Sequence, residues 1–462
     1  MKGMLIAGTA SGVGKTTVVL SLLAAMRRRG CRVQPFKGGP DFLDTGHHTR
    51  ISGRVARNLD TWMLSSDANR DVLREASNDA DAILVEGMMG LFDGKEGASD
   101  VGSSAEIAKL LKLPVVLVVD AAKSARSVAA VVLGFELFDP QSTLAGVILN
   151  RVASDRHYRM LEAAIASTCK TPIMGWIPRE PALAIPERHL GLHTAEEADS
   201  PAETEKMIDA LAATAEKHLD LDRLLSLECG LEFKYNAADR SENKPAVRIG
   251  VARDRAFSFY YEDNLDLLRQ QGAVIVPFSP ANDPSLPANL DGLYLGGGYP
   301  ELYADQLSRN TNMLTSVRDF AASGRPVYAE CGGMIYLSRQ LTTRDGVAHS
   351  MAGVLPCAFE MTGKLVHFGY ATVTITKDCI VGPRGTVIRG HSFHYSRISE
   401  KPEMPTAYRV HYSLSGREES EGFSVGNILA SYVHLHFRAA PSIAPHLVEA
   451  ARRVRSLELA TA

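Results

Sequence analysis

Gly8-Thr9-Ala10-Ser11-Gly12-Val13-Gly14-Lys15-Thr16-Thr17 follows a short apolar run, Met4-Leu5-Ile6-Ala7, and leads into the helical pattern Val18-Val19-Leu20, Leu22-Leu23, Met26. Strand, glycine-rich turn and helix N-terminus in that order make a cradle for nucleotide phosphates. Backbone N–H groups converge there, and the helix dipole favours an anion. Gly12 and Gly14 let the backbone come close, Lys15 would reach the outer phosphates, and the Thr16 hydroxyl, beside Thr17, would hold Mg²⁺. The usual spacing, Gly-x4-Gly-Lys-Ser/Thr, puts its first glycine where this chain has Thr9, with Gly8 one residue early. Close approach rests on Gly12 and Gly14, so the departure changes the pattern and not the physics.

Outward from this loop the first half of the chain alternates strand-like and helix-like segments. Strands are expected at 4–7, 32–36, 82–86, 115–120, 145–150 and 173–177, and helices at 16–29, 67–77, 103–111, 124–137 and 155–168. The strands are mostly continuous Val/Ile/Leu runs, which means burial on both faces and a mostly parallel sheet between helices. After a polar helix around 201–218, the polar, Pro-terminated run at about 236–245 reads as a linker between domains spanning 1–235 and 246–462. Alternation then restarts: strand 247–252, helix 261–271, strand 273–278, strand 291–296, helix 302–322 and strand 326–330, with a β-rich pattern from about 351. Two successive α/β domains are the expected architecture, the first a doubly wound sheet carrying the phosphate loop.

Composition narrows the function classes. Of the 462 residues, 45% are apolar and 22% charged, with a net charge of −3, so nothing points to nucleic acid. The most apolar run, Leu113 to Val119, is too short to span a bilayer, and the N-terminus goes straight into the phosphate loop, unlike a signal peptide. The six Cys (31, 169, 229, 331, 357, 379) lack Cys-x-x-Cys pairs, which argues for a reducing cytoplasm and against a zinc site or disulfide framework.

Acidic residues gather at expected strand ends. Asp41 and Asp44 lie in Lys37-Gly38-Gly39-Pro40-Asp41-Phe42-Leu43-Asp44; Glu86 closes Ala82-Ile83-Leu84-Val85, and Asp93 follows in Gly90-Leu91-Phe92-Asp93-Gly94. In an open parallel sheet the ligand crevice lies at the carboxyl ends of the strands, where such carboxylates can share a Mg²⁺ with the nucleotide. A single Asp there also serves as a helix cap. Asn150, ending Gly146-Val147-Ile148-Leu149, is placed either to read an adenine edge or to make a turn.

In the second domain Tyr328-Ala329-Glu330-Cys331-Gly332-Gly333-Met334 runs a strand into a Cys whose following glycines open a helix pattern. That is the geometry of a nucleophile elbow, and a thiol above a helix N-terminus has its reactive thiolate favoured. Leu295-Gly296-Gly297-Gly298 ends another strand, so Gly297 and Gly298 can offer a backbone N–H to an oxyanion beside the one from Gly332. Downstream, Ser431-Tyr432-Val433-His434-Leu435-His436 places two histidines of the same parity on an apolar strand, either of which is a candidate base for the Cys.

Together these motifs resemble the cobyrinate a,c-diamide synthase family, whose members join a dethiobiotin-synthetase-like ATPase to a class I glutamine amidotransferase domain. The resemblance covers essentially the full length and keeps the motif order, through His391-Ser392-Phe393-His394-Tyr395-Ser396 to Tyr432-Val433-His434. It implies that Cys331 is the glutaminase nucleophile and His434 its activator. Class I domains usually carry Glu two residues after that His; here the place is His436, so the implied unit is a Cys–His dyad. It also implies ATP on the loop 8–17, Mg²⁺ on Thr16, Glu86 and Asp41, and a tetrapyrrole and its activated carboxyl near Asp44 and Asp93. The implied reaction amidates the a- and c-acetate groups of a corrinoid, with L-glutamine as nitrogen source; a homodimer is left open.

Two alternatives share parts of this pattern. A nickel-sirohydrochlorin a,c-diamide synthase shares the motifs and differs in the macrocycle. An ATP-driven switch of the partition type also uses a deviant glycine-rich loop, but typically with a second Lys early in it, and Gly8 to Gly14 contain none.

Overall fold

The computed structural model describes residues 1–180, 187–188, 191–192, 201–231, 246–400 and 402–461. The chain divides into two compact units, 1–237 and 238–462. The linker expected at 236–245 lies outside the described residues.

The first unit is built on seven parallel strands: β1 (Lys2–Gly8), β2 (Val33–Gly38), β3 (Arg57–Leu59), β4 (Ala82–Gly90), β5 (Val115–Asp120), β6 (Leu144–Val152) and β7 (Ile173–Pro178). Their spatial order is β3-β2-β4-β1-β5-β6-β7. The central strands carry Leu5, Ile6, Ile83, Val85, Val116 and Val118 essentially without exposure on either face, as continuous apolar runs require. Helices α1 (Lys15–Arg28), α2 (Leu43–Ser52), α3 (Ser66–Ala76), α4 (Ser104–Leu110), α5 (Ser127–Phe138) and α6 (Asp155–Ala166) make the crossovers. Beyond them lie the short pair β8 (Glu187–Arg188) and β9 (Gly191–Leu192), then α7 (Pro201–His218) and α8 (Leu221–Ser226). α1 is buried almost all round because Leu211, Ala212 and Ala215 of α7 join the core against its outer side.

Two elements of this unit go beyond the sequence reading. The polar helix α2, Leu-Asp-Thr-Gly-His-His-Thr-Arg-Ile-Ser, has no apolar stripe; its start is fixed instead by Asp41 Oδ1, which accepts from Leu43 N (2.8 Å) and Asp44 N (2.9 Å). β4 runs past the expected end at 86 to Gly90, carrying the strand through Gly87-Met88-Met89.

The second unit opens as an α/β half and finishes as a β half. β10 (Val247–Ala252), α9 (Glu262–Gln270), β11 (Ala273–Phe278), β12 (Gly292–Leu295), α10 (Ala304–Arg309), α11 (Thr311–Ala322), β13 (Val327–Glu330) and α12 (Gly332–Leu337) come first. The single helix expected over 302–322 is a 3₁₀ turn, Pro300–Tyr303, followed by two helices. They break at Asn310, whose amide is drawn off to donate to Pro280 O (2.9 Å) and Asp283 O (2.8 Å).

The remaining strands are β14 (Gln340–Thr342), β15 (Ala348–Ser350), β16 (Ala358–Met361), β17 (His367–Ile375), β18 (Val387–His394), β19 (Ser396–Glu400), β20 (Thr406–Tyr412), β21 (Glu418–Val425), β22 (Ile428–Ser431) and β23 (His434–Leu435), before α13 (Ile443–Thr461). Ten strands form one mixed sheet in the order β11-β10-β12-β13-β22-β21-β20-β17-β18-β23, parallel from β11 to β22 and antiparallel beyond. β14, β15, β16 and β19 form a separate small sheet. β13 therefore lies beside β22, and the chain leaving β22 turns at once into β23. Among the described residues no helix is long and apolar enough to cross a membrane.

Candidate active site

In the first unit the loop is held open from below. Gly14 caps α1 at φ 89°, and a Cβ there would fall 2.0 Å from Asn150 Nδ2, so only glycine fits. Asn150 donates from Nδ2 to Val13 O (2.8 Å) and accepts at Oδ1 from Arg151 N (2.9 Å). Arg151 in turn donates to Gly12 O (2.9 Å) and pairs with Asp120 (2.5 Å). Asn150 is thus placed as a brace under the phosphate loop, buried rather than turned out toward a base edge.

The four carboxylates seen in the sequence part ways in space. Glu86 is fully buried and accepts from Thr16 Oγ1 (2.7 Å), Lys37 Nζ (3.0 Å) and His48 Nε2 (2.7 Å). Asp44, also buried, pairs with the same Lys37. Asp41 spends Oδ1 on capping α2. Asp93 is exposed and accepts from Gly90 N (2.9 Å), bracing the turn after β4. Lys15 Nζ donates to Met89 O (2.5 Å) across the mouth of the loop.

Charge balance explains why this cluster survives burial. Desolvation would drive Glu86 upward, but the Lys37 charge and the hydrogen bonds from His48 and Thr16 win, and it stays below the ordinary carboxylate range. Burial would lower Lys37, yet Asp44, Glu86 and Asp41 outweigh it and hold the ammonium charged. Burial, with Asp41 and Glu86, pushes Asp44 above the usual carboxylate range. Lys15 is lowered, chiefly by burial and then by the Lys37 charge. The set keeps a buried ammonium and a buried carboxylate ionised beside the loop.

The donor set also suits Mg²⁺, a hard ion that commonly takes one or two carboxylates with substrate phosphates. Thr16 Oγ1 and Glu86 Oε1 stand side by side at 2.7 Å, both oxygens at the foot of the loop.

In the second unit Cys331 sits at φ 46°, ψ −101°, a strained conformation for a non-glycine residue, at the N-cap of α12. Its N–H donates to Ser431 O (2.7 Å), tying the end of β13 to the end of β22. His434 follows three residues after Ser431, and the Cys331 side chain is among the groups that act on its imidazole. Burial alone would depress His434; the hydrogen bonds and charges of Cys331 and Glu330 overcome it and bring the imidazole up to about 9.

Gly297 makes room for this pair. A Cβ at 297 would lie 2.5 Å from His434 Cε1. The Gly297 N–H, expected to serve an oxyanion, instead donates to Phe259 O (3.3 Å). That corrects its assignment: the backbone beside the nucleophile comes from Gly298 and Gly332, where a Cβ on Gly332 would lie 3.0 Å from Gly298 N.

The equivalence of His434 and His436 also fails. β23 ends at Leu435, and His436 becomes the cap of a 3₁₀ turn, its Nδ1 accepting from Arg438 N (3.3 Å) and its ring lying 4.6 Å from that of Tyr261. Only His434 is carried to Cys331, stacked at 4.9 Å on His391 across the β18–β23 register.

Three charged or titratable partners carried no role in the sequence reading. Lys37 and His48 converge on Glu86; Lys37 was visible as a cation at a strand end, whereas His48 depends on the unpredicted α2. Glu330, buried beside the nucleophile, lies 3.5 Å from His434 Nδ1. A carboxylate ending an apolar strand immediately before the Cys was its only signal.

A nucleotide cradle in one unit and an elbow thiol with its imidazole in the other define a nucleotide-binding, glutamine-dependent amidating ligase. Residues 4–192 match the CobQ/CobB/MinD/ParA nucleotide binding domain, and 248–442 the CobB/CobQ-like glutamine amidotransferase domain. The chain is 46% identical to the cobyrinate a,c-diamide synthase of Syntrophotalea carbinolica, over 97% of this chain and 98% of that one. It is 43% identical to that of Salmonella typhimurium (97% and 98%) and 41% identical to that of Methanosarcina acetivorans (98% and 96%). The chain belongs to the cobyrinate a,c-diamide synthase family.

Proposed function

We propose that this enzyme amidates the a- and c-acetate carboxylates of cobyrinate, using ATP and L-glutamine. The observation that carries the reading is the pairing, in one chain, of the Thr16–Lys37–Glu86 cluster at a phosphate loop with the Cys331–His434 pair. A carboxylate is a poor electrophile, so the first unit's task is to transfer the γ-phosphoryl of ATP to it, giving an acyl phosphate. Lys15 and Lys37 supply the positive charge that the transferring phosphoryl oxygens require. Mg²⁺ held with the nucleotide by Thr16, Glu86 and Asp41 would spread that charge further.

The second unit supplies nitrogen. Cys331 attacks the glutamine side-chain amide, the oxyanion lies toward Gly298 and Gly332, and His434 returns a proton to the departing ammonia. Water, activated by the same imidazole, then releases glutamate. Ammonia displaces phosphate from the acyl phosphate to give the amide. Asp44 and Asp93, on the turns after β2 and β4, are the candidates for holding the corrinoid. A cytoplasmic setting fits the six unpaired cysteines.

Mass spectrometry of products from cobyrinate, ATP and glutamine tests this reading: two carboxylates should become amides. Diamidation of nickel-sirohydrochlorin with cobyrinate left untouched would move the substrate to the neighbouring reading.

A further inference from the structure

We propose that Glu330, the residue immediately before the nucleophile, is the positioning carboxylate of the glutaminase pair, completing a Cys331–His434–Glu330 unit. The inference rests on the reading of Cys331 and His434 as nucleophile and base.

Three observations carry it. First, Glu330 Oε2 lies 3.5 Å from His434 Nδ1, and catalytic hydrogen bonds of this kind are often long before substrate binds. Second, Glu330 is locked. Oε1 accepts from Tyr328 OH (2.6 Å) and Leu435 N (3.0 Å), and Oε2 accepts from Tyr294 OH (3.2 Å). The bond from Leu435 N fixes the residue next to His434, so one carboxylate sets both the strand and the ring it carries. Third, the place two residues after His434 is taken by His436, a histidine and not a carboxylate, whose ring lies 4.6 Å from that of Tyr261.

The surroundings leave the role to a carboxylate. Among the described groups near His434 and Glu330 are Tyr260, Tyr294, Tyr328 and Tyr408, with His391 and His394 of β18; the other buried carboxylate close by, Glu421, is engaged by Ser431 Oγ (2.6 Å) and Tyr432 N (2.6 Å). Burial keeps the tyrosines protonated and the two histidines neutral, so these six supply no negative charge to an imidazolium. With Nδ1 3.5 Å from Glu330, the carboxylate orients the imidazolium and makes the opposite ring nitrogen the one that serves Cys331.

The test is the pH profile of glutamine hydrolysis by the full-length protein, comparing Glu330→Gln, Glu330→Asp and Cys331→Ala. Glu330→Gln should lower kcat by about 10²-fold or more, the scale of a misplaced acid–base group, with KM for glutamine little changed. Its alkaline limb should move down by about one pH unit or more, since an opposite charge at this range shifts a pKa by that much. Glu330→Asp, which keeps the charge, should retain the wild-type limb and recover part of kcat. A partly unfolded preparation lowers the height of the profile and leaves its limb in place. A lowered but unshifted profile for Glu330→Gln, or an unchanged one, therefore overturns the inference. Normal hydrolysis by Cys331→Ala would instead overturn the nucleophile reading beneath it.

Discussion

The backbone N–H of Cys331 donates to the carbonyl of Ser431 at 2.7 Å, and that bond clamps the ends of two parallel strands, β13 and β22. One strand delivers the nucleophile; the other delivers, three residues on, its imidazole. The pair is therefore held by the sheet and not by a loop, and small changes in the space around it should matter more than changes in surface charge.

Gly297→Ala tests that space. A Cβ at 297 would lie 2.5 Å from His434 Cε1, so the ring must shift. A misplacement of about 1 Å can cost about 10²-fold in rate. Glutamine-dependent turnover should fall on that order while amidation with free ammonia persists; steady-state assays with the two nitrogen donors check it.

The pH profile of glutaminase follows from His434, raised from 6.5 to about 9. The charged imidazole persists until pH passes about 9, so the alkaline limb of kcat/KM should fall there and not near the ordinary histidine value. Because the folded pKa is the higher one, the associated fold stability is complete below about 6.5 and is lost as pH rises through about 9. Denaturant midpoints measured across that window should decline.

Lys37→Met removes the shared cation from Glu86 and Asp44, both buried. Leaving a buried charge uncompensated typically costs about 3–5 kcal/mol. The first unit's unfolding transition should drop accordingly, and amidation should fail with glutamine and with ammonia alike. Calorimetry and a coupled phosphate-release assay check the two halves.

Much of this was legible in the sequence. Gly12, Gly14 and Lys15 announce the loop because only that turn needs those residues, and Cys331-Gly332-Gly333 announces the elbow for the same reason. α2 was not legible, since its polar sequence shows no apolar period and its start depends on Asp41 reaching two backbone N–H groups. His48 was hidden with it. His434 and His436 looked equivalent by strand parity until the strand was seen to stop at Leu435. Glu330 was hidden because its partner, His434, is more than a hundred residues away in the chain.

Glu86→Gln and Asp93→Asn should separate metal and substrate roles. Glu86 touches Thr16 directly, whereas Asp93 is exposed and braces Gly90. Glu86→Gln should weaken nucleotide turnover by about 10²-fold or more, with a loss that responds to Mg²⁺ concentration. Asp93→Asn should keep nucleotide affinity and raise the ratio of mono- to diamide. Calorimetric ATP titration beside product mass spectrometry reads both.

The central claim is that nitrogen supply and carboxyl activation are separate chemistries in separate units, and Cys331→Ala tests it most directly. Amide formation on cobyrinate is measured with ATP and either glutamine or ammonium chloride. The account predicts no amide from glutamine and wild-type diamide yield from ammonia. Glutamine-dependent amidation by this variant, or loss of the ammonia-dependent reaction in a folded preparation, would contradict it.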